Sequence, residues 1–200
     1  MSARLLISAF LIGISVLPLH AQLLSQAALD SVRTFRSLER ALKHDGPVYR
    51  LDLSGQKLKQ VPEELRTLKD LNALDLSSNK LRELPDWFGD LEHMQELRLS
   101  RNKLVIFPHV ICKLHHLERL DMARNALTGL PACMGKLKEL VSLDLWSNDL
   151  VDFPEEISGM EALRFMDLRV IQFEQPEMDM IQELLPRTKI WFSPPCNCGM

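Results

Sequence analysis

Aromatic side chains are scarce in this 200-residue chain, at 6% with a single Tyr, whereas Leu occurs 38 times. The apolar fraction of 46% is enough for a core. Its concentration in one aliphatic residue type points to a core built by repetition rather than around a few large rings. No cluster of Lys and Arg is present and the net charge is −3. The basic footprint that neutralises phosphates is missing, which disfavours a nucleic-acid partner. No GxSxG, no HExxH and no phosphate-cradling glycine-rich loop occurs, and the eight glycines are scattered. Catalysis therefore has no nucleophile, metal or phosphate site to start from, and the chain reads as a non-enzyme without a cofactor.

The first 21 residues differ from all that follow. Arg4 precedes an apolar run from Leu5 to Leu19, interrupted by Ser8, Gly13 and Ser15 and followed by His20-Ala21-Gln22. The run is shorter than the ~20 residues that cross a bilayer. Ala21 offers a small residue for cleavage before Gln22, so residues 1–21 read as a secretory signal peptide. The alternatives are a buried N-terminal helix and an uncleaved anchor. No Cys lies near the junction, so a lipid-modified leader is not encoded. No second stretch can span a membrane, and the mature chain is expected to be secreted, periplasmic or at the cell surface.

Five of the eleven prolines, Pro62, Pro85, Pro108, Pro131 and Pro154, stand 23 residues apart. In the same phase run Asn79, Asn102, Asn125 and Asn148, preceded by Gln56 and followed by Ile171. Residues 71–93 read LNALDLSSNKLRELPDWFGDLEH, giving the pattern LxxLxLxxNxLxxLPxxhxxLxx with h apolar. The alternation Leu74-Asp75-Leu76, repeated at Leu97-Arg98-Leu99, Leu120-Asp121-Met122 and Leu143-Asp144-Leu145, is that of a strand with one buried face. After each proline the apolar residues fall three apart, as at Phe88, Leu91 and Met94, which suits a short helical turn started by the fixed φ of proline. One such unit cannot bury its own leucines, whereas stacked units share a continuous column.

This pattern resembles leucine-rich repeats, and its 23-residue proline-containing form is similar to that of plant disease-resistance proteins and Ras-signalling scaffolds. The resemblance covers about residues 48–173. It implies an α/β solenoid: a curved parallel sheet on the concave face, short helical turns on the convex face, and a rigid platform for protein recognition. Those families are mainly intracellular, so their partners are not carried over. A helix-capped array behind a short leader resembles exported bacterial leucine-rich repeat proteins more closely. The cysteine-rich end caps of many animal extracellular relatives are absent.

Four segments follow: 1–21 as leader, 22–47 as an N-terminal capping helix, 48–173 as six repeats, and 174–200 as C-terminal cap and tail. In residues 25–44, Leu29, Val32, Phe35, Leu38 and Leu42 fall at helical spacing, with Asp45-Gly46-Pro47 as a stop. Past the last repeat, Met178, Ile181, Leu184 and Leu185 predict a short helix after Pro176, and residues 189–193 a last strand. The ladder residues Asn79, Asn102, Asn125 and Asn148 are expected to satisfy backbone groups of their own and the neighbouring turn.

Strand residues between the buried leucines face out of the concave side. One outward column is Asp52, Asp75, Arg98, Asp121, Asp144 and Asp167; beside it run Ser54, Ser77, Ser100, Ala123, Trp146 and Arg169. A third holds Gly55, Ser78, Arg101, Arg124, Ser147 and Val170, and a fourth, on the other side, Arg50, Ala73, Glu96, Arg119, Ser142 and Phe165. The last rungs therefore gather Trp146, Phe165, Arg124 and Arg169, with Arg101, Asp121 and Asp144 alongside. Exposed Trp flanked by Arg has the composition of an interface hot spot, and these seven residues form the candidate protein-binding patch. The competing reading packs Trp146 on the C-terminal cap, against Trp191 or Phe165. A glycan-binding or structural surface role is the alternative function.

Three further constellations carry weaker chemistry. The Asp column supplies one carboxylate per rung, a poor Ca²⁺ cage. Asp70, His93, His116 and Glu139 share a rim column, which reads as a solvated edge rather than a metal site. Cys112 and Cys133 sit on neighbouring return legs at slots where a disulfide is geometrically possible but not implied, and Cys196 and Cys198 lie at the C-terminus with their state open. Dimerisation through an uncapped edge or Cys198 stays open as well.

Overall fold

The structure, a computed structural model, describes residues 23–194; the leader residues 1–21, Cys196 and Cys198 lie outside that span. Eight strands form one sheet in chain order. They are β1 (Thr34–Phe35), β2 (Arg50–Asp52), β3 (Ala73–Asp75), β4 (Glu96–Arg98), β5 (Arg119–Asp121), β6 (Ser142–Asp144), β7 (Phe165–Leu168) and β8 (Lys189–Phe192). Every neighbouring pair is parallel and in repeat register, so Leu51, Leu74, Leu97, Leu120, Leu143 and Met166 stand side by side. All six are buried. The 23-residue period thus becomes one continuous leucine column, the shared core that no single repeat could make.

Each return leg is a five-residue 3-10 turn, in order Glu63–Thr67, Asp86–Asp90, His109–Lys113, Ala132–Lys136 and Glu155–Gly159. The repeat's proline stands immediately before each, where its fixed φ suits the turn and its missing N–H leaves nothing unpaired. The turns bury Leu65, Phe88, Ile111, Met134 and Ile157 against the sheet. Neighbouring turns pack so closely that a Cβ on Gly135 would collide with the Glu156 carbonyl. Cys112 and Cys133, on successive turns with Cα atoms 5.8 Å apart, are joined as a disulfide.

The Asn ladder bonds across rungs. Asn79 Oδ1 accepts from Leu58 N–H at 3.0 Å, while its Nδ2 donates to the carbonyls of Leu53 and Leu76, each at 2.9 Å. Asn102, Asn125 and Asn148 repeat this one rung later each time. Ile171 offers no such group, and the regular repeat ends there.

The N-terminal cap differs from the single helix expected over 25–44. It divides into α1 (Gln26–Ser31) and α2 (Leu38–Leu42), with β1 between them. Ser25 and Ser37 cap the two helices, each accepting from a backbone N–H of the first turn. The reason lies in the sheet. The edge of β2 would otherwise present unpaired backbone groups, and Thr34 and Phe35 pair with Arg50 and Leu51 to cover it. Val32 and Thr34, β-branched, accept the extended backbone readily. At the other end α3 (Gln175–Leu184) carries Pro176 in its first turn and a reciprocal Glu174–Glu177 capping box. It turns Met178 and Ile181 inward, and β8 closes the sheet.

Candidate functional site

The concave face is a row of strand side chains set about 4.8 Å apart, the spacing of neighbouring strands. Its acidic column has a structural duty. Oδ1 of Asp52, Asp75, Asp121, Asp144 and Asp167 accepts the N–H two residues on, at 2.8 to 3.0 Å, which pins the turn where each strand ends. Asp121 and Asp144, expected as binding residues, are therefore first of all turn-forming residues. Arg98 interrupts the column and lies 3.8 Å from Asp75.

Electrostatics divide the column into two groups. Burial is the largest influence on Asp144 and raises its pKa; the carboxylates of Asp121 and Asp167 on the flanking strands push the same way, against the Trp146 N–H bond. Burial also acts to raise the pKa of Asp52, but the bonds from Ser54 and the charges of Arg36 and Arg98 outweigh it, leaving the value lowered. Asp167 is likewise lowered because hydrogen bonds from Arg169 overcome its burial. The Arg169 charge also acts to lower the Asp144 value, but burial and the two flanking carboxylates prevail.

At the last rungs the arrangement is aromatic. The Arg124 guanidinium carbon lies 4.2 Å from the centroid of the Trp146 ring, and Trp146 is half-buried. Phe165 stacks on Trp191 with centroids 6.0 Å apart and planes at 16°, and Lys189 Nζ lies 5.0 Å from the Trp191 centroid. Phe165 remains 45% exposed. In the competing reading Trp146 packs on Trp191 or Phe165; among the described residues no ring stacks on Trp146, and the ring stacked on Trp191 is that of Phe165. Phe165 takes that place on the cap. Arg169, expected beside Trp146, is held by Asp167 through Nε at 3.0 Å, because the two residues lie on the same turn. Arg101 is exposed and adopts φ 55°, as does Arg124 at 53°. Arg101 stands two strands from Trp146 and is not part of the aromatic group.

The opposite, early end of the face is partly closed by the chain itself. Gln95 exchanges hydrogen bonds with the backbone of Leu24, Gln26 Nε2 donates to Glu96, and Arg50 Nε donates to the Leu29 carbonyl. The segment 23–31 thus crosses the starts of β2, β3 and β4, reaching beyond the first rung it was expected to cover. Ala73 and Glu96, expected as exposed concave positions, are 3% and 5% exposed. Glu96 is buried with charge because Arg50 and Arg119 flank it and Gln26 donates to it.

The rim histidines are separately occupied, His93 against the Lys69 carbonyl and His116 against Glu139, each at 3.1 Å. Among the described residues no three His, Cys, Asp or Glu side chains group as a metal site. Sequence reasoning overlooked Lys189 and Trp191 as concave residues, although they alternate along one strand and so share a face. It also overlooked the pairing of Gln95 and Glu96 with segment 23–31, for which a local pattern gives no signal.

Stacked parallel strands, in-register leucines, proline-started turns and a cross-rung Asn ladder together define one architecture. This chain is a leucine-rich repeat protein. The leucine rich repeat family model matches residues 47–104. A leucine-rich repeat protein of Leptospira interrogans is similar at 30% identity with a TM-score of 0.62, covering 82% of this chain and 49% of its own. Internalin C2 of Listeria monocytogenes shares the fold at 20% identity and a TM-score of 0.63, over 79% of this chain and 66% of its own. The repeat protein thus spans about half the length of the first and two thirds of the second. No curated protein matches its sequence significantly. Its resemblance is to bacterial members of the family, and among its described residues no helix is long and apolar enough to cross a membrane.

Proposed function

We propose that this protein is a non-enzymatic, extracellular binding module that recognises a protein partner with the late rungs of its concave face. The observation that carries the reading is the pair of aromatic groups there: Trp146 under Arg124, and exposed Phe165 stacked on Trp191. Both are held by the sheet before any partner arrives, so little side-chain freedom is lost on binding, and each couples a large apolar surface to a cation. Segment 23–31 crosses the starts of the early strands and narrows that end of the face, which favours the late rungs. Support for an extracellular setting comes from the Cys112–Cys133 disulfide, a bond that persists in oxidising compartments, and from the leader-like residues 1–21.

The test is a crosslinking capture from envelope and culture medium of the source organism, comparing the parent with Arg124→Ala/Phe165→Ala. The variant must keep the parent's circular dichroism. A protein captured by the parent and lost with the variant supports the reading. Equal capture by both refutes it. Capture of saccharide on a glycan array, abolished by Phe165→Ala and indifferent to salt, replaces it with the glycan-binding alternative.

A further inference from the structure

Where the chain leaves the first three rungs, at the ladder slots Gln56, Asn79 and Asn102, the positions one before, one after and three after the slot are all exposed. Six of these nine positions are cationic and none is acidic: Lys57 and Lys59 in the first rung, Lys80 and Arg82 in the second, Arg101 and Lys103 in the third. Scattered over 47 residues of chain, they form a cluster only because the rungs stack, with Lys57, Lys80 and Lys103 in one column at about 4.8 Å per rung. Among the described residues none of the six forms an ion pair or a ring contact. The nearby acids are few or engaged. Glu83, exposed next to Arg82, is the one inside the patch. On the concave side Asp52 and Asp75 lie against Arg36 and Arg98, and on the convex side, where Asp86 is exposed, Glu63 accepts from Trp87 Nε1 at 2.7 Å. A trough of about 570 Å³ lies among the cations, lined by Lys59, Gln60, Lys80, Arg82, Glu83 and Lys103, every one polar or charged.

We propose that this flank of the first three rungs binds an acidic polysaccharide, a chain with sulfate or carboxylate on successive sugars. Cations stacked one per rung repel each other, and an anionic chain laid across them removes that repulsion. Each exposed contact is weak alone, but a polymer with charge at short intervals makes several at once, and linked contacts sum. The polar trough offers donors to hydroxyl and acidic oxygens and no apolar floor. Other polyanions fit less well. Single-stranded nucleic acid needs rings on which bases stack, and none of the six positions or the trough residues is aromatic. A flat anionic membrane along this flank would meet the exposed acids Asp149, Asp152 and Glu174, which begin about 10 Å further along it. An acidic protein segment would want an apolar anchor inside its contact, whereas the exposed Val105 and Ile106 stand at the late margin of the patch. The patch is separate from the aromatic groups of the late rungs, and it gives Arg101 a place that the late rungs do not.

The test is binding of the full chain to immobilised heparin, with neutral dextran, poly-glutamate, single-stranded DNA and phosphatidylglycerol vesicles as comparisons. The parent is expected to bind heparin with an affinity that falls steeply with salt, and to ignore neutral dextran. Lys80→Glu/Lys103→Glu reverses two exposed cations of one column and is expected to weaken heparin binding by about 100-fold or more. Lys136→Glu/Arg187→Glu makes the same change in net charge at exposed positions outside the patch and is expected to bind within about twofold of the parent. Circular dichroism checks that both variants are folded. A parent that fails to bind heparin at low salt overturns the proposal. So does an equal loss in both variants, which would make the effect one of net charge alone. Tighter binding of poly-glutamate, DNA or vesicles than of heparin, lost with the same column variant, overturns it in favour of that ligand. Saccharide binding that resists salt and is lost with Phe165→Ala also overturns it, since that behaviour belongs to the late-rung aromatic groups.

Discussion

Replacing Asn148 by Ala should cost more stability than the same change at the half-buried ladder residues Asn102 and Asn125. Its side chain accepts from Leu127 N–H at 3.1 Å and donates to the carbonyls of Met122 at 3.1 Å and Leu145 at 2.8 Å. The residue is 5% exposed, so water cannot take over these bonds. Alanine strands one donor and two acceptors. A stranded buried group costs about 1–3 kcal/mol, and carbonyls with a second lone pair stand at the low end, which gives a total of about 2–4 kcal/mol. Asn102 makes the same bonds from a half-buried position, and its loss should cost about 1–3 kcal/mol because water reaches part of the gap. Denaturant melts supply the totals, and hydrogen exchange at Leu127 for Asn148 and at Leu81 for Asn102 reports whether the damage sits at the expected rung. Asn148→Asp sharpens the test, since it keeps the acceptor but sets an anion against two carbonyl oxygens. That carboxyl is raised in the fold, so the variant loses stability as pH climbs through the raised value and regains it when acid makes the group a donor. A loss under about 0.5 kcal/mol for Asn148→Ala, or an Asn148→Asp protein as stable as the parent at neutral pH, would refute the account.

Cys112→Ser/Cys133→Ser opens a 21-residue loop and should lower stability by about 3 kcal/mol in a denaturant melt. Val170 is a β-branched residue at φ 65°, and Val170→Gly should raise the melting stability by about 1 kcal/mol by relieving that strain. Asp144 has its pKa raised in the fold, so its ionisation subtracts stability as pH rises from the ordinary carboxylate range through the raised value. Asp144→Asn keeps the bond from Trp146 N–H, removes the repulsion, and should flatten that part of the pH profile with a gain of about 0.5 kcal/mol at neutral pH. Asp52 and Asp167, lowered in the fold, act in the opposite sense: their stabilisation is present above the ordinary carboxylate range and is lost as acid titrates them.

The period of prolines and asparagines was enough to determine the repeat, the strands, the proline-started turns and the direction of every buried leucine. These depend on local chemistry recurring at a fixed interval, and one repeat's surroundings are the next repeat. The outward columns were legible for the same reason, and with them Trp146, Arg124 and Phe165 as concave residues. What each outward residue does was another matter. Asp121 and Asp144 hold their own turns, Arg169 is held by Asp167, and Trp191 rather than Trp146 stacks on Phe165. Those outcomes depend on which of several reachable neighbours a long side chain meets.

The ends of the array were decided only by tertiary structure. Helical spacing in residues 25–44 is real, yet the open edge of β2 draws Thr34 and Phe35 into a strand and splits the helix. The backbone of Leu24 then reaches Gln95, 71 residues away, and buries Glu96 between Arg50 and Arg119. Periodicity carries no information about such contacts, because they join segments that do not repeat. The sequence by itself thus determined the platform. Which part of that platform is covered and which is open was decided by how the unrepeated ends dock on it, where an unpaired sheet edge and a buried charge each demand a partner.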